Sequence, residues 1–190
     1  MHAPQPLPLL ILDLDETLIH AVAAPLRWPH DFQVGPWLVY KRPGVDQFLT
    51  RMAPHFQLAV WSSATGDYVD AVVTQLFGAE SGLQFQWCRD RCTDRYDPEH
   101  QCRYWIKDLK KTKRAGFPLE RTLMVDDTPS KLERNFGNAV YVSPFTGDPN
   151  DTELRQLGPF LLSLADCRNV RGVEKRGWRC RQTADIAEEL

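Results

Sequence analysis

The sequence has no run of about 18 consecutive apolar residues, so it offers no helix able to cross a bilayer. It also lacks the charged n-region of a secretory signal, because a short apolar run near the N-terminus leads straight into Asp13. No internal repeat, low-complexity tract or linker interrupts it, and 190 residues suit one domain, 1–190, with a sizeable core. Only the proline-rich start departs from this, and residues 1–7 are expected to fray around Pro4 and Pro6. Charge of neither sign dominates: 23 Lys and Arg stand against 25 Asp and Glu, so net charge names no nucleic-acid or membrane partner. Cysteine is sparse and odd in number. Cys88, Cys92, Cys102, Cys167 and Cys180 are loosely spaced in a chain large enough to fold without disulfides. Reduced thiols are expected, and with them a cytoplasmic or nuclear location.

What the sequence does contain is alternation. Leu9 to Leu12 is wholly apolar and reads as a central strand buried on both faces. Val45, Phe48, Leu49 and Met52 recur at helical spacing, and Pro54 closes that stripe. A second strand, Phe56 to Trp61, precedes another helical stripe, Val69, Val72, Val73, Leu76 and Phe77, ended by Gly78. Arg121 to Asp127 is a third strand, followed by a helix start with Thr128 as N-cap and Pro129 at its first position. Asn138 to Val142 is a fourth strand. Strand and helix in this order predict an α/β fold, a mostly parallel sheet with helices on both faces.

The polar residues sit where such a fold binds ligands, beyond the carboxyl ends of the strands. Asp13 and Asp15 end the first strand, Ser62 and Ser63 the second, and Asp126 and Asp127 the third. Carboxylates crowded on one rim repel by about 4 kcal/mol per pair at ~4 Å and an effective dielectric of ~20, so they need a cation or must take up protons. Hard oxygen ligands with little sulfur or imidazole nearby favour magnesium, which takes one or two carboxylates, waters and a substrate phosphate. An Asp-x-Asp pair by itself is common. Two acidic pairs, each placed directly after an apolar strand, are not readily explained as helix caps and turn residues.

These residues carry a resemblance. "DLDETLIH", Asp13 to His20, resembles the first, DxDxT motif of the haloacid dehalogenase superfamily, in the form of the small C-terminal-domain (NLI-interacting-factor-like) phosphatases. The likeness continues in order through "YKRPGVDQFLTRM", "LAVWSSAT", "WIKDLKKTKRAGFPLERTLMVDDTPSKLERNFGNAVYV" and "DTELRQLGPFLLSL", from about Leu9 to about Val173. It implies a haloacid-dehalogenase-like (Rossmannoid) α/β sheet with a small flap after the first strand, here about residues 21–40. It implies a magnesium-dependent hydrolase of phosphomonoesters, most of all of phosphoserine or phosphothreonine in a protein. By this similarity Asp13 is the nucleophile that becomes an aspartyl phosphate, and Asp15 is the general acid and then base. Ser62, with Ser63 and backbone amides beside it, holds the phosphate, and Lys107 pairs with the phosphoryl oxygens. Asp126 binds magnesium alongside Asp13 and the Asp15 carbonyl, while Asp127 and Thr17 serve as further ligands or supports.

Three departures bear on the transfer. Ser62 stands where most relatives have threonine and keeps the hydroxyl; "DDTP" replaces Asp-Asn-Ser-Pro, adding the charge of Asp127; and the insert between His20 and Lys41 is short. Its aromatics, Trp28, Phe32, Trp37 and Tyr40, suit either stacking on a proline-rich peptide or a base, or packing of a hairpin against the body. The basic run Arg103, Lys107, Lys110, Lys111, Lys113 and Arg114 reads, apart from Lys107, as a solvated helix face rather than a nucleic-acid patch. Cys88, Cys92, His100 and Cys102 match no common zinc spacing, and His20 reads as a neighbour of the site. The expected partner is therefore a phosphoprotein or phosphopeptide met by a monomer. The alternatives are small phosphate esters or nucleic-acid 3′-phosphates as substrates, or a non-catalytic binding module of the same fold. The segment beyond Val173, 174–190, reads as a basic turn and a short helix, a tail of unassigned purpose.

Overall fold

A computed structural model describes residues 6–180. In chain order it forms strand β1 (Leu9–Leu12), β2 (Ile19–Val22), β3 (Phe32–Val34), β4 (Trp37–Lys41), helix α1 (Val45–Met52), β5 (Gln57–Trp61) and α2 (Gly66–Phe77). There follow β6 (Gln86–Trp87), β7 (Thr93–Asp97), β8 (Cys102–Ile106), α3 (Lys110–Arg114), β9 (Thr122–Asp126), β10 (Ala139–Tyr141) and α4 (Glu153–Ser163). The expected α/β sheet is present: five parallel strands in the order β10, β9, β1, β5, β6, flanked by helices.

Successive side chains of a strand point to opposite faces, and each central strand is divided accordingly. Leu10 and Leu12 of β1, Val60 of β5 and Leu123 and Val125 of β9 join one core cluster, with the buried stripes of α1, α2 and α4. Leu9 and Ile11, Ala59 and Trp61, and Met124 join the other, closed by Leu109, Leu132 and the aromatics Phe85 and Trp87. The three longer helices therefore share one face, and α3 with short 3-10 turns covers the second. Burial on both sides is why these strands read as unbroken apolar runs rather than as alternating ones.

Outside the main sheet stand two smaller ones. The insert folds as an antiparallel sheet in the order β2, β4, β3. Val34 pairs with Trp37, so the β3–β4 turn is Gly35-Pro36, and Gly35 takes φ 55, an angle glycine adopts without steric cost. The second small sheet is the β7–β8 hairpin, which the sequence reading left without elements.

Two further segments differ from expectation. After β9 no α-helix begins: Pro129–Leu132 is a single 3-10 turn, and the Thr128 hydroxyl donates to Asp127 Oδ2 at 3.0 Å instead of capping. The amides of Lys131 and Asn135 donate three residues back, to Thr128 at 3.1 Å and Leu132 at 2.8 Å, and the Lys131 carbonyl accepts the Lys107 amide at 2.7 Å. Residues 174–180, set apart in the sequence as tail, pack against the body. Trp178 is buried, stacks on Phe160 of α4 at 5.7 Å and donates to the Tyr141 carbonyl at 2.8 Å. The rest of that tail lies outside the described residues, as does most of the proline-rich start. Pro6 and Leu7 are held by hydrogen bonds to their carbonyls from Arg121 and Gln57.

Candidate active site

The site is built by register. Leu12 pairs with Val125, and the Asp13 amide donates to the Val125 carbonyl at 3.0 Å, so Asp13 and Asp126 leave neighbouring parallel strands at the same level. Both continue the side of the sheet that carries Ile11 and Met124. Two carboxylates are thus buried side by side, and alone they would be untenable. The hairpin supplies the remedy. Beyond β8, Lys107 is completely buried and its ammonium lies 2.9 Å from Asp13 Oδ1 and 2.6 Å from Asp126 Oδ2. Asn135 fixes this segment, donating to the Lys107 carbonyl at 2.9 Å and accepting from the Leu109 amide at 3.3 Å.

A second ammonium, that of Lys131, lies 3.1 Å from Asp13 Oδ2, 3.9 Å from Asp127 Oδ1 and 4.0 Å from Asp126 Oδ1. These charges set the acidities. Burial alone would raise the Asp13 carboxyl, but Lys107, Lys131 and the Leu14 amide outweigh it and hold the group below the usual carboxylate value. At Asp126 burial and the Asp13 charge prevail over the lysines, and the carboxyl is pushed up. Burial would likewise lower Lys131, yet the three aspartates raise it above an ordinary lysine.

Asp15 has a different environment. Its carboxylate accepts from the Tyr68 hydroxyl at 2.6 Å and lines a cavity of about 410 Å³ together with Trp37, Thr65, Tyr68 and Arg89. Burial pushes the Asp15 carboxyl up, the Asp13 charge adds to this, and the Tyr68 hydrogen bond opposes it. Such a group holds a proton more readily than its neighbour Asp13. The next residue, Glu16, takes the left-handed φ 59; its amide donates to Ile19, its carbonyl accepts from Phe145, and its carboxylate meets His20 Nδ1 at 3.0 Å. His20 is thus a neighbour of the motif turn. At the end of β5, Ser62 is buried and its Oγ accepts from the Ala64 amide at 3.0 Å, which leaves its proton to donate; the Ser63 carbonyl accepts from Arg89 Nε at 2.7 Å.

Among the described residues, the His, Cys, Asp and Glu side chains whose ligand atoms converge within 4.8 Å are Asp13, Asp126 and Asp127. Asp127 Oδ1 is buried and has no hydrogen-bond donor. An all-oxygen set with one orphaned acceptor fits a hard divalent cation. The Asp15 carboxylate stands apart from this set, turned to Tyr68, so any part it takes as a ligand falls to its carbonyl. The Thr17 hydroxyl is buried without a partner, while the Thr17 carbonyl accepts from Arg42. Cys88, Cys92, His100 and Cys102 form no comparable set; His100 pairs instead with Asp97 at 2.8 Å.

A family model described as NLI interacting factor-like phosphatase matches residues 8–171. The chain belongs to this family. A CTD small phosphatase-like protein 1 of Caenorhabditis elegans is 32% identical over 163 residues, 82% of this chain and 31% of that one. A probable C-terminal domain small phosphatase of Dictyostelium discoideum is 33% identical over 174 residues, 86% of this chain and 53% of its own. The chain thus spans about half or less of these relatives. The solved structure of Fcp1, an essential RNA polymerase II CTD phosphatase, superimposes with a TM-score of 0.55 at 22% identity, covering 83% of this chain and 49% of that one. That likeness is one of fold.

Within this family member, the structure gathers Asp13, Lys107, Asp126 and Asp127 at one point, with Asp15 and the seryl pair at adjoining strand ends. It also adds two residues the sequence reading missed. Lys131 follows Asp127 by four positions, a spacing that brings side chains to one side of a turn, and that was its only signal. Tyr68 lies in the first turn of α2, the helix that starts from the strand end carrying Ser62. In the basic run, Lys111 donates to the Arg91 and Cys92 carbonyls at 2.7 and 3.1 Å, and Lys110, Lys113 and Arg114 are exposed. No helix among the described residues is long and apolar enough to cross a membrane.

Proposed function

We propose that the chain is a magnesium-dependent phosphomonoester hydrolase that works through an aspartyl phosphate, with phosphoserine or phosphothreonine of a protein as its substrate. The observation that carries this reading is the buried Lys107 ammonium held between Asp13 and Asp126, beside an Asp127 oxygen that accepts no hydrogen bond. Asp13, kept ionised beside the buried Lys107 ammonium, attacks phosphorus while the Asp15 carboxyl gives its proton to the departing seryl oxygen. Asp15, now ionised, takes a proton from water, which attacks the aspartyl phosphate and releases inorganic phosphate and free Asp13. Lys107 and the Ser62 hydroxyl offset charge on the transferring phosphoryl group. Magnesium, when held by Asp13, Asp126, Asp127 and the Asp15 carbonyl, would neutralise the phosphoryl oxygens and orient them.

The polypeptide substrate is supported by the cavity against Asp15, which has Trp37 and Tyr68 on its walls and Arg89 at its side. A small ester would leave most of it unfilled. Five unpaired cysteines agree with a cytoplasmic or nuclear location. The test is phosphate release from phosphopeptides, p-nitrophenyl phosphate, nucleotides and 3′-phosphorylated oligonucleotides, with Asp13→Asn as control. Release that prefers phosphopeptide, needs magnesium and vanishes in Asp13→Asn is expected. Turnover by Asp13→Asn, or turnover in chelator, would overturn the mechanism; preference for oligonucleotide would move the substrate, and peptide binding without turnover would leave a binding module.

A further inference from the structure

The phosphatase reading uses Lys107 and leaves Lys131 without a task. Its ammonium meets each of the three carboxylates that converge on the cation site. The two lysines divide the oxygens between them: Lys107 takes Asp13 Oδ1 and Asp126 Oδ2, and Lys131 takes the other oxygen of each, plus Asp127 Oδ1. Lys131 therefore stands at 3.1 Å on the Asp13 oxygen that Lys107 leaves open, and at longer range on Asp127 Oδ1 and on Asp126 Oδ1, which also accepts the Thr128 amide at 2.9 Å.

The two side chains are also built differently. Lys107 has no exposure at all, whereas the Lys131 side chain is 21% exposed at the rim. Yet the Lys131 backbone is fixed, its amide donating to the Thr128 carbonyl at 3.1 Å and its carbonyl accepting the Lys107 amide at 2.7 Å. A pinned backbone under a long, rim-exposed stem lets the head move to water without disturbing the turn. The charges favour such a movement. Three aspartates and two lysines leave one net negative charge, so a divalent ion entering with Lys131 in place would sit against an ammonium in a net positive site. With Lys131 turned outward, the same ion leaves the cluster neutral.

We propose that Lys131 is a displaceable internal cation: it holds the metal-facing oxygens of Asp13, Asp126 and Asp127, and a divalent ion binds by driving its ammonium outward. Asp127 and Lys131 then act as a pair, the lysine balancing the extra carboxylate and tempering the affinity that carboxylate confers. The inference rests on the phosphatase reading in taking these aspartates as metal ligands.

The test is calorimetric titration of the full chain with magnesium chloride, with thermal midpoints read in chelator and in saturating magnesium. Lys131→Met is expected to bind magnesium tighter by roughly tenfold or more, since the competing charge is gone. Its midpoint is expected below wild type in chelator and level with it in magnesium, while Lys131→Arg keeps the wild-type affinity. Equal or weaker magnesium binding by Lys131→Met would overturn the proposal. If that variant does not fold, Asp127→Asn/Lys131→Met against Asp127→Asn decides: the double variant must bind magnesium more tightly, and an equal affinity sinks the idea. A wild type that binds no magnesium and releases no phosphate would bring down the phosphatase reading together with this one. A wild type that does both, with no tightening in Lys131→Met, brings down this one alone.

Discussion

Lys107 and Asp13 face each other across 2.9 Å, yet their removal should have unequal effects on stability. Lys107→Met leaves Asp13 and Asp126 buried next to each other without the ammonium between them, and stripping the partner from a buried charge costs about 3–5 kcal/mol. Asp13→Asn removes one of two like charges and leaves Lys107 paired with Asp126, so it should cost much less. Urea unfolding of the two variants checks this, and equal losses would mean the carboxylates do not depend on Lys107. Turnover should fall by about 10³-fold or more in either, as for loss of a group that acts in the transition state. The residues of this centre differ in how legible they were. Asp13, Asp126 and Asp127 could be placed from the sequence because each directly follows an apolar strand. Lys107 came from the family likeness, since nothing in its own surroundings separates a buried lysine from five neighbours of the same charge, four of them exposed. Lys131 and Tyr68 escaped because their importance lies in what they face across the sheet.

At the scale of elements, the strands buried on two faces were read correctly to within a residue or so, because burial on both sides writes a continuous apolar run. The β7–β8 ribbon, half-exposed and made of residues such as Asp94, Arg95, Arg103 and Tyr104, writes no such signal, although it delivers Lys107. The insert shows a mixture. Tyr40 is buried, its hydroxyl accepting the Leu26 amide at 2.8 Å, and Phe32 packs on the core. Trp28 and Trp37 remain exposed, and Trp37 borders the cavity beside Asp15. The four aromatics therefore separate into two that build the sheet and two that face outward, an outcome composition alone could not give. On the proposed reading, a surface tryptophan beside Asp15 meets the part of a substrate that lies outside the phosphate. Trp37→Ala should lower the ratio of kcat/KM on phosphopeptide to that on p-nitrophenyl phosphate by roughly fivefold or more, through KM, since one aromatic contact contributes about 1 kcal/mol. An unchanged ratio would place the peptide elsewhere.

For the molecule as a whole, one buried residue joins segments far apart in the chain. Arg42, at the end of the insert, donates to Asp151 through Nε at 2.9 Å and Nη2 at 2.8 Å, and to the carbonyls of Thr17 and Ser143 at 3.1 and 2.9 Å. It thereby ties the turn after the first motif, the exit from β10 and the start of α4 into one support beneath the site. Burial alone would raise the Asp151 carboxyl, but the hydrogen bonds and charge of Arg42 hold it below the ordinary value. A carboxyl lowered in the folded state contributes stability that is fully present above the unfolded value and disappears as pH falls through the folded one. Asp151→Asn removes that carboxylate at every pH and leaves Arg42 buried without an ionised partner. At neutral pH the variant should be less stable than wild type by about 1–3 kcal/mol, the cost of removing a charged hydrogen-bond partner from a buried group. As pH falls below the ordinary aspartate value of about 3.9 the wild type loses the same contribution, so the two should converge. Urea midpoints measured from pH 7 downward check this: a gap that stays constant across the series would mean that the stability comes from the geometry of the clamp and not from its charge.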